Sequence, residues 1–171
     1  MNKNKKSILI TGCSSGIGFA TAELLNKNGW QVFATCRKIS DVIKLNDLGY
    51  NSFLLDYSDK NSIEKTLKKI LTQTNGQLSA LFNNGAYALP GALEDVPVES
   101  MREIFETNVF GWHHLTRMVI PIMRKQGHGR ILQCSSILGF ITLAYRGPYN
   151  STKWLNVLKE SSVADACVLF N

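Results

Sequence analysis

At 171 residues, against roughly 150 per domain, the chain is expected to form a single domain over residues 1–171, and its 44% apolar and 19% charged composition excludes a disordered, collagen-like or disulfide-scaffold protein. The net charge of +6 is compatible with a nucleic-acid surface or an anionic cofactor. Much of the excess lies in the N-terminal KNKK and in KTLKK, without interleaved aromatics for base stacking, so no nucleic-acid partner is expected.

In chain order, short apolar or β-branched runs alternate with segments of helical period. The first strand is predicted at 7–11 (SILIT), followed by a glycine turn and a helix whose apolar row is Ile17, Ala20 and Leu24. Strands follow at 31–35 (QVFAT) and 52–56 (SFLLD), then a helix with Ile63, Leu67, Ile70 and Leu71 on its inner face. Gly29 and Gly76 follow helices at places suited to left-handed caps. A fourth strand is predicted at 78–83 (LSALFN). It leads to one long helical stretch from Val98 to Lys125, with Val109, Trp112, Thr116, Val119 and Met123 on one face and a bend at Pro121. A fifth strand at 130–135 (RILQCS) precedes a last helix. This alternation predicts an α/β fold, a doubly wound parallel sheet of Rossmann-like strand order 3-2-1-4-5. Ligands then belong beyond the carboxyl ends of the strands, in the loops after the first, fourth and fifth.

No run reaches the ~18 apolar residues of a membrane span. The apolar stretch SILITGC behind the basic start meets glycine too early for a signal sequence, so no membrane span and a cytoplasmic location are expected. Cys13, Cys36, Cys134 and Cys167 lack metal-ligand spacing, and His113, His114 and His128 form no HExxH-like cluster; free thiols and no metal are expected.

The motifs fall in the predicted loops. TGCSSGIG places Gly12, Gly16 and Gly18 between a strand and a helix, where the backbone can turn sharply and approach a pyrophosphate beside the free N–H groups of the helix start at Ile17. No Lys-Ser/Thr pair follows the last glycine, which disfavours a nucleoside-triphosphate loop. The second strand leads into Arg37 and Lys38, where an NAD site usually presents a carboxylate to the ribose 2'-hydroxyl. A guanidinium there suits a 2'-phosphate, so the expected cofactor is NADP; an ordinary surface arginine is the alternative. Asp56 is placed to accept from the adenine amino group, or to cap the helix that follows. Ser136 lies after the fifth strand, and Tyr149 and Lys153 stand one helical turn apart in YNSTK, so that an ammonium can lower the pKa of a phenol beside it.

With these residues in place the chain resembles the short-chain dehydrogenase/reductase family over positions 7 to about 154. TGCSSGIG matches its TGxxxGxG, Tyr149 and Lys153 match its YxxxK, and Ser136 precedes Tyr149 by thirteen residues as the family's serine does. Together with GALEDV after the fourth strand, the pattern is similar to NADP-dependent members resembling retinol and 17β-hydroxysteroid dehydrogenases. The resemblance implies hydride transfer between nicotinamide and a carbonyl or secondary alcohol. Tyr149 would be the general acid/base, with Lys153 lowering its pKa and binding the nicotinamide ribose. Ser136 would bond the substrate oxygen, and Asn108 in ETNVFG would hold a water linking Lys153 to solvent. Asn83 would support the cofactor side of the fourth strand. Seen alone, Ser136 could satisfy a strand end and Asn108 could cap a helical turn. Gly12, Ser14, Ser15, Gly16, Ile17, Gly18, Arg37, Asp56, Asn83 and Lys153 are then expected around the cofactor, and the apolar segments YALPG and ILGFITLAY suggest a hydrophobic substrate. Family members often associate through the helix ending near Lys125 and the helix of Tyr149, an assembly that an incomplete last helix would weaken.

Two departures from the family stand out. NNGA replaces the usual NNAG, exchanging Gly85 and Ala86, which is expected to be tolerated. After Trp154 the sequence leaves the pattern, so residues 155–171 read as an atypical tail, expected to be a truncation or a shifted frame. Within that tail, VADACVLF has the composition to pair in part where a sixth strand belongs. Two alternative readings follow: an inactive nucleotide-binding fragment with an exposed sheet edge, or a dinucleotide-sensing regulatory protein.

Overall fold

The computed structural model describes residues 5–160. Five parallel strands, β1 (Ser7–Ile10), β2 (Gln31–Cys36), β3 (Asn51–Leu54), β4 (Ala80–Asn83) and β5 (Arg130–Gln133), lie in the order β3-β2-β1-β4-β5, as the alternation predicts. The registers pair Leu9 with Phe33 and Leu81, and Leu81 with Ile131, so the central strands form one apolar layer. Ile8 and Ile10 face one helical layer and Leu9 the other. Burial on both sides is why these strands read as continuous apolar runs. The strands are shorter than expected, but the ladder runs one bond further: Leu55 N–H donates to Cys36 O and Cys134 N–H to Asn83 O. Residues 163–170, expected to pair beyond β5, and Cys167 lie outside the described residues.

Helices α1 (Gly16–Lys27) and α2 (Ile39–Asp47) cover one face through Ala22, Val42 and Leu45. The expected inner row of α1 is a correction: Ile17 and Leu24 are 62% and 60% exposed, and the buried positions are Gly18 and Ala22. The glycine turn brings α1 so close to β1 that only small residues fit inside, which turns the larger ones outward. The opposite face is covered by α3 (Lys60–Gln73), with Ile63, Leu67 and Ile70 buried as its spacing predicts.

The long helical stretch expected from about 98 to 125 is α4 (Val98–Phe105), a π-helical turn (Glu106–Gly111) and α5 (Trp112–Gln126). Val109, Trp112, Thr116, Val119 and Met123 are buried on its inner side, as expected. The wide turn makes room for a neighbour: a Cβ on Gly111 would stand 2.4 Å from the Tyr57 carbonyl oxygen. Helix α6 (Gly147–Glu160) packs on α4 and the π-helical turn. No helix among the described residues is long and apolar enough to cross a membrane.

Candidate active site

The loop after β1 is built by backbone proximity. Gly12 has φ +68, and a Cβ there would lie 2.6 Å from Gly85 Cα; a Cβ on Gly18 would lie 2.4 Å from Gly12 O. Three glycines from two loops thus touch through their main chains, and the exchanged order NNGA places Gly85 against Gly12, where a Cβ on Gly85 would stand 3.2 Å from Gly12 N. Gly16, at φ +59, has open space around its missing Cβ. Ser15 is the N-cap of α1 but makes no side-chain cap bond, and Ser14, Ser15 and Gly16 are exposed. The first-turn N–H groups of α1 lack helical acceptors, so this end of the helix can receive an anion. Cys13, inside the turn, is buried, and burial pushes its thiol up to about 12; Cys36 is pushed up to about 11 for the same reason. Neither is a thiolate at neutral pH.

Arg37 is exposed just past the end of β2 and lines a cavity of about 170 Å³ with Gly12, Ser14, Asp56, Gly85 and Tyr87. Asp56 Oδ1 accepts from Ser58 N–H (2.9 Å) and from the Ser58 hydroxyl (2.8 Å). The cap of α3 is Asp59, which accepts from Asn61 N–H, so the capping alternative for Asp56 does not hold.

Beneath this cavity lies a buried polar floor that the sequence reading missed. The Tyr57 hydroxyl donates to Asn83 Oδ1 (2.5 Å) and lies 2.9 Å from the Thr11 hydroxyl. Asn83 Nδ2 donates to Thr116 Oγ1 (2.9 Å) and Gln133 Oε1 (3.0 Å). Thr11 Oγ1 accepts from the N–H groups of Asn84 (2.9 Å) and Gly85 (3.1 Å). Asn83 is therefore a buried support, with its amide committed inside, and the side chain that reaches the glycine turn is Asn84, donating to Thr11 O (3.0 Å) and Gly12 O (3.3 Å). Burial pushes the Tyr57 phenol above its ordinary value, which fits a structural hydroxyl.

At the other end of the site, Asn108 is fully buried in the π-helical turn. Its side chain clasps the Tyr87 main chain, accepting from Tyr87 N–H (3.2 Å) and donating to Tyr87 O (2.9 Å), and also donates to Thr152 Oγ1 (3.3 Å). Its carbonyl accepts from Asn156 Nδ2 (3.0 Å). Tyr149, Thr152, Lys153 and Asn156 share one face of α6, and the last three are buried. A core-facing stripe of polar residues at i, i+3, i+4 and i+7 is the sequence signal that could have found Thr152 and Asn156.

The Ser136 side chain faces the Tyr149 phenol and acts to lower its pKa. Ser136 Oγ also accepts from Leu138 N–H (3.2 Å), so the strand-end role and the site role coexist. Burial pushes the Tyr149 phenol above its ordinary value, and the Ser136 side chain opposes that rise. Lys153 Nζ donates to Cys134 O (2.7 Å) and lies over two rings, 4.6 Å from the Trp112 centroid and 5.5 Å from that of Tyr149. Lys153 is 2% exposed, and burial pulls its ammonium down from 10.5 to about 8. The arrangement thus offers a serine hydroxyl, a phenol and a readily deprotonated amine together beyond the carboxyl end of β5.

Comparison with known proteins agrees with this geometry. Residues 6–161 match the short chain dehydrogenase family. The oxidoreductase YbbO of Escherichia coli (strain K12) is 37% identical over 150 residues, covering 88% of this chain and 56% of that protein. A 3-ketodihydrosphingosine reductase of Bacteroides thetaiotaomicron is 35% identical over 147 residues, 86% of this chain and 53% of that one. An NADPH-dependent 3-dehydrocapnine reductase of Ornithobacterium rhinotracheale is 32% identical over 153 residues, 85% of this chain and 54% of that one. The crystal structure of a short-chain dehydrogenase from Streptomyces avermitilis superposes with a TM-score of 0.86 at 32% identity, covering 94% of this chain and 60% of the other. The chain spans about half the length of the curated relatives it matches. A glycine turn closed by main-chain contact, a Tyr-Lys pair on one helix and a match over residues 6–161 together establish that the chain belongs to the short chain dehydrogenase family.

Proposed function

We propose that this chain carries the cofactor site and catalytic group of an NADP-dependent oxidoreductase that moves a hydride between nicotinamide and the carbonyl or secondary alcohol of a hydrophobic substrate. The observation that carries the reading is the convergence of Ser136, Tyr149 and Lys153 at the carboxyl end of β5, with β4 between it and the strand of the glycine turn. The residues present fit a dinucleotide: open space at Gly16 and uncapped amides at the start of α1 for the pyrophosphate, and Arg37 for a 2'-phosphate. The relative named as NADPH-dependent supports the same preference. Exposed Ile137, Phe140, Ile141, Leu143 and Tyr145 between Ser136 and Tyr149 support a hydrophobic substrate and the likeness to retinol and 17β-hydroxysteroid dehydrogenases.

The nicotinamide, when bound, supplies or accepts the hydride. In the reducing direction Ser136 and Tyr149 donate hydrogen bonds to the carbonyl oxygen, and the Tyr149 hydroxyl gives its proton to the developing alkoxide. A phenol held neutral by burial is suited to act as that acid. Lys153 stabilises the phenolate left behind and can replace its proton, a role eased by the low pKa of its ammonium. Lys153 also binds the nicotinamide ribose. Asn108 fixes the Tyr87 main chain and the Thr152 side of α6, and in this reading it holds a water that connects Lys153 to solvent.

A second reading has an observation of its own. The apolar residues 137–145 lack a cover among the described residues, as they would in a nucleotide-binding part with no turnover by itself. Titrating NADPH and then following its oxidation with a panel of apolar ketones separates the two. Binding with oxidation supports the enzyme, binding without oxidation the second reading, and absence of binding refutes both.

A further inference from the structure

We propose that Trp112 is a positioning residue that joins the two halves of the site, holding the Lys153 ammonium against its indole face while its ring N–H fixes the carbonyl of Gly85. The functional consequence rests on the dinucleotide reading above; the contact itself does not. Trp112 is fully buried at the start of α5, directly after the π-helical turn. Its Nε1–H donates to Gly85 O at 2.8 Å, and Gly85 is the residue whose main chain packs on Gly12 in the glycine turn. Its face lies 4.6 Å from Lys153 Nζ. Among the described residues no carboxylate forms an ion pair with Lys153, so a carbonyl and two aromatic rings are what receive its charge. A cation over a desolvated indole is stabilised by the ring quadrupole, more strongly by Trp than by Tyr. One rigid side chain therefore sets both where the amine stands and where the cofactor-facing loop lies. Tyr57, tilted against Trp112 at 6.2 Å, keeps the indole in place from the sheet side.

The test uses the indole as its own reporter. In a Trp30→Phe, Trp154→Phe protein only Trp112 remains, and its emission should titrate with a midpoint near the value of about 8 that burial gives Lys153. The other titratable groups facing this point are Tyr57, Tyr149 and Cys134, so Lys153→Met in the same background is the control and should abolish the titration. A flat profile from pH 7 to 10, or one that persists without Lys153, overturns the proposal. For the second contact, Trp112→Phe keeps a ring and loses the N–H. NADPH should bind about fivefold more weakly, the weight of one neutral hydrogen bond, while the Trp30→Phe, Trp154→Phe protein binds as wild type. Unchanged affinity in Trp112→Phe overturns the loop half of the claim. If the wild-type chain does not bind NADPH, the dinucleotide reading fails, and the fluorescence titration, which needs no nucleotide, decides the role of Trp112.

Discussion

Replacing Lys153 by methionine isolates the cost of burying an ammonium. The side chain is 2% exposed, and burial pulls its pKa from 10.5 to about 8. At ~1.36 kcal/mol per pH unit, the folded chain disfavours the charged form by about 3 kcal/mol. Below pH 8 both folded and unfolded chains carry the proton, and the full cost is present. Between 8 and 10.5 the unfolded chain binds more protons than the folded one, so this group makes stability rise with pH. Methionine has no proton to lose. The stability advantage of Lys153→Met over wild type should therefore be largest at pH 7 and shrink by about 3 kcal/mol on reaching pH 10.5. Cys13 and Cys36, raised by burial to about 12 and about 11, act in the opposite direction above pH 9, but they do so in both proteins and cancel in the difference. Urea unfolding in half-unit steps of pH measures the difference directly. A gap between the two proteins that stays constant across this range would refute the buried-charge argument.

Three further substitutions test other parts of the site. Arg37→Asp should weaken NADPH at least about tenfold more than NADH, the weight of a charge-assisted hydrogen bond; equal losses by calorimetry would remove Arg37 from the 2'-phosphate role. Gly18→Ala forces a Cβ to 2.4 Å from Gly12 O, which should cost about 1–3 kcal/mol in thermal unfolding; an unchanged Tm contradicts the main-chain contact. Tyr57→Phe removes the donor to Asn83 Oδ1 within the buried floor and should cost about 1–3 kcal/mol, whereas wild-type stability would show that the floor is dispensable.

The sheet was legible because its signals are local. Each strand announces itself by a run of apolar residues, and Trp112, Thr116, Val119 and Met123 announce one helix face by their spacing. Helix α1 misled because its sequence carries apolar residues on two sides, and the inner one is chosen by the close approach of the glycine turn, which periodicity does not express. The π-helical turn was hidden for a similar reason: a widened turn leaves no mark in composition, and the close approach of the Tyr57 carbonyl to Gly111 comes from a part of the chain far away in sequence. Of the site, the glycines, Ser136, Tyr149 and Lys153 could be found from motif spacing. The bonds joining Thr11 to Tyr57, and Trp112 to Gly85, span 46 and 27 residues and exist only once the sheet is formed. The ammonium's place over the Trp112 ring was out of reach of any argument from two residues one turn apart.

The proposal that Tyr149 donates the proton in hydride transfer is tested by following the hydride itself. The direct measurement supplies NADPH deuterated at nicotinamide C4 with an apolar ketone and follows deuterium in the product alcohol by mass spectrometry, in wild type and Tyr149→Phe. Wild type should transfer deuterium, and the rate should fall roughly 10²–10⁴-fold without the hydroxyl. Deuterated cofactor that binds but yields no labelled alcohol, or equal rates in the two proteins, would contradict it.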